Sequence, residues 1–165
     1  MKILDLLKKE YEQEVALTSK MLQRVPEDKW DWKPHEKSMT MKQLTAHLAE
    51  ITEWPAIGLH TEVLDFAATP YVPSPVNSVA ELLSLLEKST KAGREALQNA
   101  KEEDLLPTWT MKYGDQVLLS MTKYEMIRHS LSQQSHHRAQ LGVYLRLLDI
   151  PIPGTYGPSA DEQDF

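Results

Sequence analysis

From the start of the chain, Leu4, Leu7, Tyr11, Val15, Thr18, Leu22 and Val25 recur at spacings of three and four, lining one face across residues 2–25. That stripe predicts an amphipathic helix, closed by Pro26, which lacks the amide hydrogen needed to continue it. A loop with Trp30, Trp32 and Pro34 leads to Thr40-Met41-Lys42-Gln43. A threonine followed three residues on by glutamine lets side chain and backbone cap each other, so a second helix is predicted to open there. Its inward face is Leu44, His47, Leu48 and Ile51, and Pro55 should kink or end it near Trp54.

The segment ATPYVPSPVNS is too rich in proline for a helix and reads as a crossing to Ser78-Val79-Ala80-Glu81, another capping signal. Leu82, Leu83, Leu85, Leu86 and Leu97 continue from it as a third helix. LPTWTMKYGDQVLLSM, with threonine, tyrosine and valine around Gly114-Asp115, is compatible with a short hairpin or an ordered loop. Thr122-Lys123-Tyr124-Glu125 then opens the longest helix, running to about Asp149 ahead of Pro151 and Pro153. These elements predict an all-α fold: a four-helix bundle with long inter-helix loops, in one domain over residues 1–165. The polar tail, from about residue 154 to 165, is expected to be flexible. Loops of intermediate length leave the order of helices around the bundle open.

The last helix carries HSLSQQSHHRAQ, residues 129–140, with three of the six histidines. At about 100° per residue, Met126, Ser130, Gln133, Leu141, Tyr144 and Leu148 fall within roughly 40° of His137. His129 and His136 lie roughly 80° to 100° away, on a flank. Gln133 and His137 are therefore expected to face inward one turn apart, and His47 to face inward from the second helix. Two imidazoles and an amide carbonyl on facing helices suit a divalent ion with open positions left for water or substrate. The same residues also suit a plain core, with histidine and glutamine satisfied by interhelical hydrogen bonds.

Composition narrows the chemistry. With 165 residues and 41% hydrophobic content, the chain can bury a core. A net charge of -6 without a basic run argues against nucleic acid or an anionic membrane as partner. No cysteine is present, so a metal must be held by nitrogen and oxygen, and a thiol would have to arrive as substrate. The opening MKILDLLKKEYEQE is charged and lacks a long apolar stretch, and no segment approaches the roughly 18 apolar residues of a membrane span, so a cytoplasmic location is expected.

TMKQLTAHLAEITEW, with its histidine ahead of a tryptophan, and HSLSQQSHHRAQLGVYLRLLDIPIP together resemble the DinB family of four-helix-bundle proteins, across essentially the whole chain. The resemblance implies three histidine ligands for nickel, zinc or iron, one on the second helix and two in an H-x-x-x-H-R-G-Q run on the last. His47 matches the first and His137 the last, while Gln133 stands at the middle position and Ala139 at the glycine. An amide carbonyl is a weaker donor than imidazole to such metals, so weak binding or an empty site is expected. Glu50, one turn beyond His47, is a conceivable replacement carboxylate. Arg138 is expected in a surface or interface salt bridge with a glutamate, Gln140 as a group that orients a ligand ring, and the tryptophans at 30, 32, 54 and 109 as core and loop anchors.

The resemblance also implies a homodimer, with His129 and His136 near its interface, and a metal-dependent transferase acting with a small thiol and an electrophile. The alternative is a non-catalytic stress-related bundle or binding protein with a degenerate site. For hydrolysis or isomerisation the sequence nominates no convincing general base.

Overall fold

The computed structural model describes residues 2–163. Five helices account for most of it: α1 (Ile3–Leu22), α2 (Met41–Glu50), α3 (Trp54–His60), α4 (Val79–Asn99) and α5 (Lys123–Leu147). Three strands, β1 (Val63–Asp65), β2 (Thr108–Tyr113) and β3 (Gln116–Thr122), form one small sheet. The expected all-α fold is thus corrected to a mostly helical one carrying a three-stranded sheet.

Helix starts follow their local chemistry. Thr40 accepts from the Gln43 amide at 3.2 Å while the Gln43 side chain accepts from the Thr40 amide at 2.9 Å, and Thr122 and Glu125 repeat the exchange at α5. At α4 the exchange is half made: Ser78 accepts from the Glu81 amide, but the Glu81 carboxylate takes the Asn77 amide instead. Pro55 does not end the helical path. A single 3-10 turn, Ile51–Glu53, separates α2 from α3, and Pro55 sits in the first turn of α3, where an amide hydrogen has no helical acceptor.

The sheet grows from a hairpin. β2 and β3 pair antiparallel, Trp109 opposite Met121 and Met111 opposite Leu119, with a bulge before Lys112 meets Val117. Gly114, first of the two connecting residues, has φ 58°, which a side chain disfavours. β1 joins β2 in parallel register, Val63 to Thr110 and Asp65 to Lys112. The hairpin is anchored by Trp109, fully buried, whose indole N–H donates to Thr61 Oγ1 at 3.0 Å.

Asp65 ties β1 to the hairpin turn. Its Oδ1 accepts from the Ala67 and Gly114 amides at 2.9 and 3.0 Å, and Lys112 lies 3.3 Å from Oδ2. The Gly114 and Ala67 amides, more than Lys112, hold its pKa below the usual 3.8. Because the folded value is the lower one, the stabilisation is complete above the unfolded pKa and lost as pH falls through the folded value. Urea midpoints measured from pH 5 down to pH 2 should therefore fall less steeply in Asp65→Asn than in the parent, and parallel curves would remove this role.

Helix packing settles the order left open by the loops. α1 packs against α4 and α5, and the α2–α3 pair packs against the same two, so α4 and α5 stand at opposite corners. One buried cluster joins Met21, Leu22, Leu44, Leu48, Leu82, Leu141 and Leu145; a second joins Leu4, Leu7, Tyr11, Leu97, Leu105, Ile127 and Leu131. Touching two neighbours, α5 buries two stripes. Met126, Ser130, His137, Leu141 and Tyr144 form the expected one; Ile127, Leu131, Gln134, Arg138 and Leu145 form another.

The terminal segment lies back along the helices. Asp161 pairs with Arg146 at 2.5 Å and accepts from the Ile152 amide, and Glu162 pairs with Arg24. The last two positions of that segment lie outside the described residues.

Candidate metal centre

α2 and α5 bring two of the three expected donors face to face. The rings of His47 and His137 lie edge to face with centroids 4.7 Å apart. With metal–nitrogen bonds of about 2.1 Å, two imidazoles on one tetrahedral ion hold their centroids roughly 5 Å apart. The observed spacing fits that geometry, and fits an edge-to-face aromatic pair equally well.

The tautomer of His137 follows from its neighbour. Its Nδ1 lies 2.9 Å from Gln140 Oε1, an oxygen that only accepts, so Nδ1 carries the hydrogen and Nε2 keeps its lone pair. Gln140 is held in this orientation by its own amide, which donates to His136 Nε2 at 3.2 Å. A ligand ring oriented by an outer partner is the arrangement metal sites use. Burial depresses the pKa of His137 against the opposing effect of the Gln140 bond, with His136 adding slightly to the depression. Burial also depresses His47, helped by the facing His137 and opposed by Glu50. Both rings are therefore biased toward the neutral form that can donate to a cation.

Gln133 sits one turn before His137 and is half-buried. Its Nε2 approaches His129 Nε2 at 3.4 Å, and its Oε1 has no hydrogen-bond partner among the described residues. The amide carbonyl is thus uncommitted, while no group of three or more histidine, cysteine, aspartate or glutamate side chains suited to a metal occurs among the described residues. Glu50 is already engaged: Tyr71 donates to its Oε2 at 2.5 Å and the Ser74 amide to its Oε1 at 2.8 Å. His129 is half-buried and His136 exposed, as their flank positions imply. Ala139 is exposed rather than at a close helix contact.

Arg138 is placed differently from its expectation. It does pair with a glutamate, but inside the fold: its Nη2 lies 2.6 Å from Glu14 Oε2, with the two residues only 3% and 5% exposed. Nη1 donates to the Glu14 carbonyl and to Thr18 Oγ1, each at 3.2 Å, and Thr18 donates to Gln134 Oε1. Tyr156 joins from the terminal segment, donating to Glu14 at 2.6 Å and accepting from Arg138. The Gln134 amide nitrogen has no partner among the described residues. The sequence signal for this network was the second stripe of α5, hidden because two of its members are polar.

The DinB family model matches residues 2–164. The chain belongs to the DinB family. A relative from Bacillus subtilis (strain 168), the uncharacterized protein YrdA, is 24% identical over 161 residues, covering 96% of this chain and 91% of its own length. Solved DinB-like structures share the fold. One from Bacillus cereus ATCC 10987 superposes with TM-score 0.71 at 19% identity, covering 91% of this chain and 95% of that one. Another, YjoA of Bacillus subtilis, has TM-score 0.69 at 17% identity over 96% and 99% of the two chains. A third, described as a possible DinB member from Exiguobacterium sibiricum 255-15, has TM-score 0.64 at 17% identity, covering 90% and 93%. At these identities the likeness concerns the DinB architecture, and the chemistry rests on the residues above. No helix among the described residues is long and apolar enough to cross a membrane.

Proposed function

We propose that this DinB-family chain binds a divalent metal such as nickel, zinc or iron between α2 and α5, with His47 and His137 as nitrogen donors and the Gln133 carbonyl as a weak third. The observation that carries the reading is the pairing of two neutral-biased imidazoles across the helix interface, one of them with its tautomer set by Gln140. Bound there, a divalent ion supplies Lewis acidity that lowers the pKa of a thiol it coordinates. The chain's part is to hold two basic nitrogens in place and to bury them. A thiol-transferase reaction, with a small thiol and an electrophile as substrates, follows as the activity to assay, in a cytoplasmic homodimer. A non-catalytic binding protein with a degenerate site is the second reading. It is favoured by Gln133, whose amide is turned to His129 and whose carbonyl is a poor substitute for imidazole.

Equilibrium dialysis of tag-free protein against nickel and zinc tests the centre. One ion per chain is expected, lost in His47→Ala, and Gln133→His should bind more tightly. Gln140→Leu removes the acceptor of the His137 Nδ1 hydrogen, together with the donor to His136, and should weaken binding on the order of ten- to a hundredfold. A parent protein that takes up neither metal ends the metal reading. Metal uptake without any His137-dependent conjugation of small thiols leaves the binding-protein reading in possession.

A further inference from the structure

Beside His47 the fold leaves a cavity of about 480 Å³, a size within the usual range of small-molecule sites. Trp54, Ile57, Leu64, Phe66, Leu85 and Met111 supply much of its wall. They come from α3, β1, the crossing, α4 and β2, so the hollow depends on the whole arrangement and not on one loop. Gln133 and His137 are not among its lining residues.

The polar groups that line it narrow the occupant. Glu50 spends one carboxylate oxygen on the Tyr71 hydroxyl and the other on the Ser74 amide, bonds that also hold the crossing against α2. The other charged groups on the lining are Glu53 and Lys88, so with Glu50 the carboxylates outnumber the single ammonium. An anion would exchange water for a largely apolar wall with a surplus of like charge, and a cation would find Glu50 already committed to Tyr71 and Ser74, so either exchange is costly. A neutral ligand loses little, and the imidazole of His47 offers it a hydrogen-bonding group.

We infer that this cavity binds a small, uncharged, predominantly apolar organic molecule, with the His47 imidazole as a polar contact in its wall. The inference holds with or without an ion at His47 and His137, because His47 alone is shared between the two.

Two fluorescent probes with one aromatic skeleton separate the possibilities: neutral N-phenyl-1-naphthylamine and its sulfonated counterpart, 1-anilinonaphthalene-8-sulfonate. Titrated into the full chain in the presence of a chelator, the neutral probe should saturate at one per chain, and bind at least about tenfold more tightly than the sulfonate. Leu64→Trp, which fills the hollow, and Val72→Arg, which places a charge on its lining from a position 79% exposed, should each weaken the neutral probe about tenfold at unchanged helical content. Val72→Arg keeps the test usable if Leu64→Trp fails to fold. Equal or tighter binding of the sulfonate, no saturable binding, or an affinity untouched by both variants overturns the inference. Repeating the titration with zinc keeps the two readings apart, since failure to bind zinc leaves the probe result standing.

Discussion

Glu14→Ala should lower stability by about 3–5 kcal/mol, a fall in Tm of roughly 10 °C for a chain of this size. The guanidinium of Arg138 would remain in the interior with its charge uncompensated, because among the described residues Glu14 is its only ion-pair partner and its other hydrogen bonds go to a carbonyl and two hydroxyls. Much of that loss is the penalty for a stranded ion, so removing both partners should recover most of it. Glu14→Leu combined with Arg138→Met replaces the pair with apolar volume and is expected to lie within about 2 kcal/mol of the parent. Urea unfolding of the parent, the single variant and the double variant measures this. A single variant as stable as the parent would mean that water reaches Arg138, contrary to its burial.

Gly93→Ala is expected to destabilise by about 3 kcal/mol, although glycine to alanine inside a helix ordinarily stabilises by about 1 kcal/mol. A Cβ at this position on α4 would overlap the Thr52 carbonyl oxygen and stand 2.5 Å from the Tyr11 hydroxyl. Neither can step aside. The carbonyl belongs to the turn joining α2 to α3, and the hydroxyl lies 2.8 Å from that carbonyl and 3.0 Å from the Thr90 carbonyl. Burial raises the pKa of this phenol, so it stays protonated and available as donor. The overlap therefore costs packing and disturbs a buried hydrogen bond together. Gly142→Ala is the control: its nearest neighbour would be Met21 Cε at an ordinary 3.6 Å, and the normal gain of about 0.5–1 kcal/mol is expected. Thermal unfolding of the two variants should shift in opposite directions; shifts of the same sign would show that α1, α4 and the turn do not meet as closely as described.

Both variants act where polar groups lie inside the fold, and these were the places hardest to read from the chain. Hydrophobic periodicity locates a stripe when the stripe is apolar, as on the His137 face of α5. The opposite stripe contains Gln134 and Arg138, which resemble solvent-facing residues until their partners on α1 are known. The pairing of β1 with β2 was also invisible, because three residues between a helix and a proline-rich crossing hold too short a pattern to identify a strand.

Family membership was legible in two segments, those around His47 and His137, and the structure places both rings together across α2 and α5. Gln133 could be located on its helix from spacing, but the direction of its amide depends on His129, which the spacing does not weigh. The hydrogen on His137 Nδ1 likewise depends on Gln140.

By itself the amino-acid sequence determined helix starts at threonine and serine caps, the apolar stripe of each long helix and the placement of His47 and His137 on such stripes, since these depend on interactions within a few residues. Tertiary structure alone decided that Arg138 is buried on Glu14, that Pro55 begins a helix, that a strand joins the hairpin and that a cavity opens beside His47. Each of these depends on what packs against the residue from distant parts of the chain, and desolvation or steric fit there outweighs local preference.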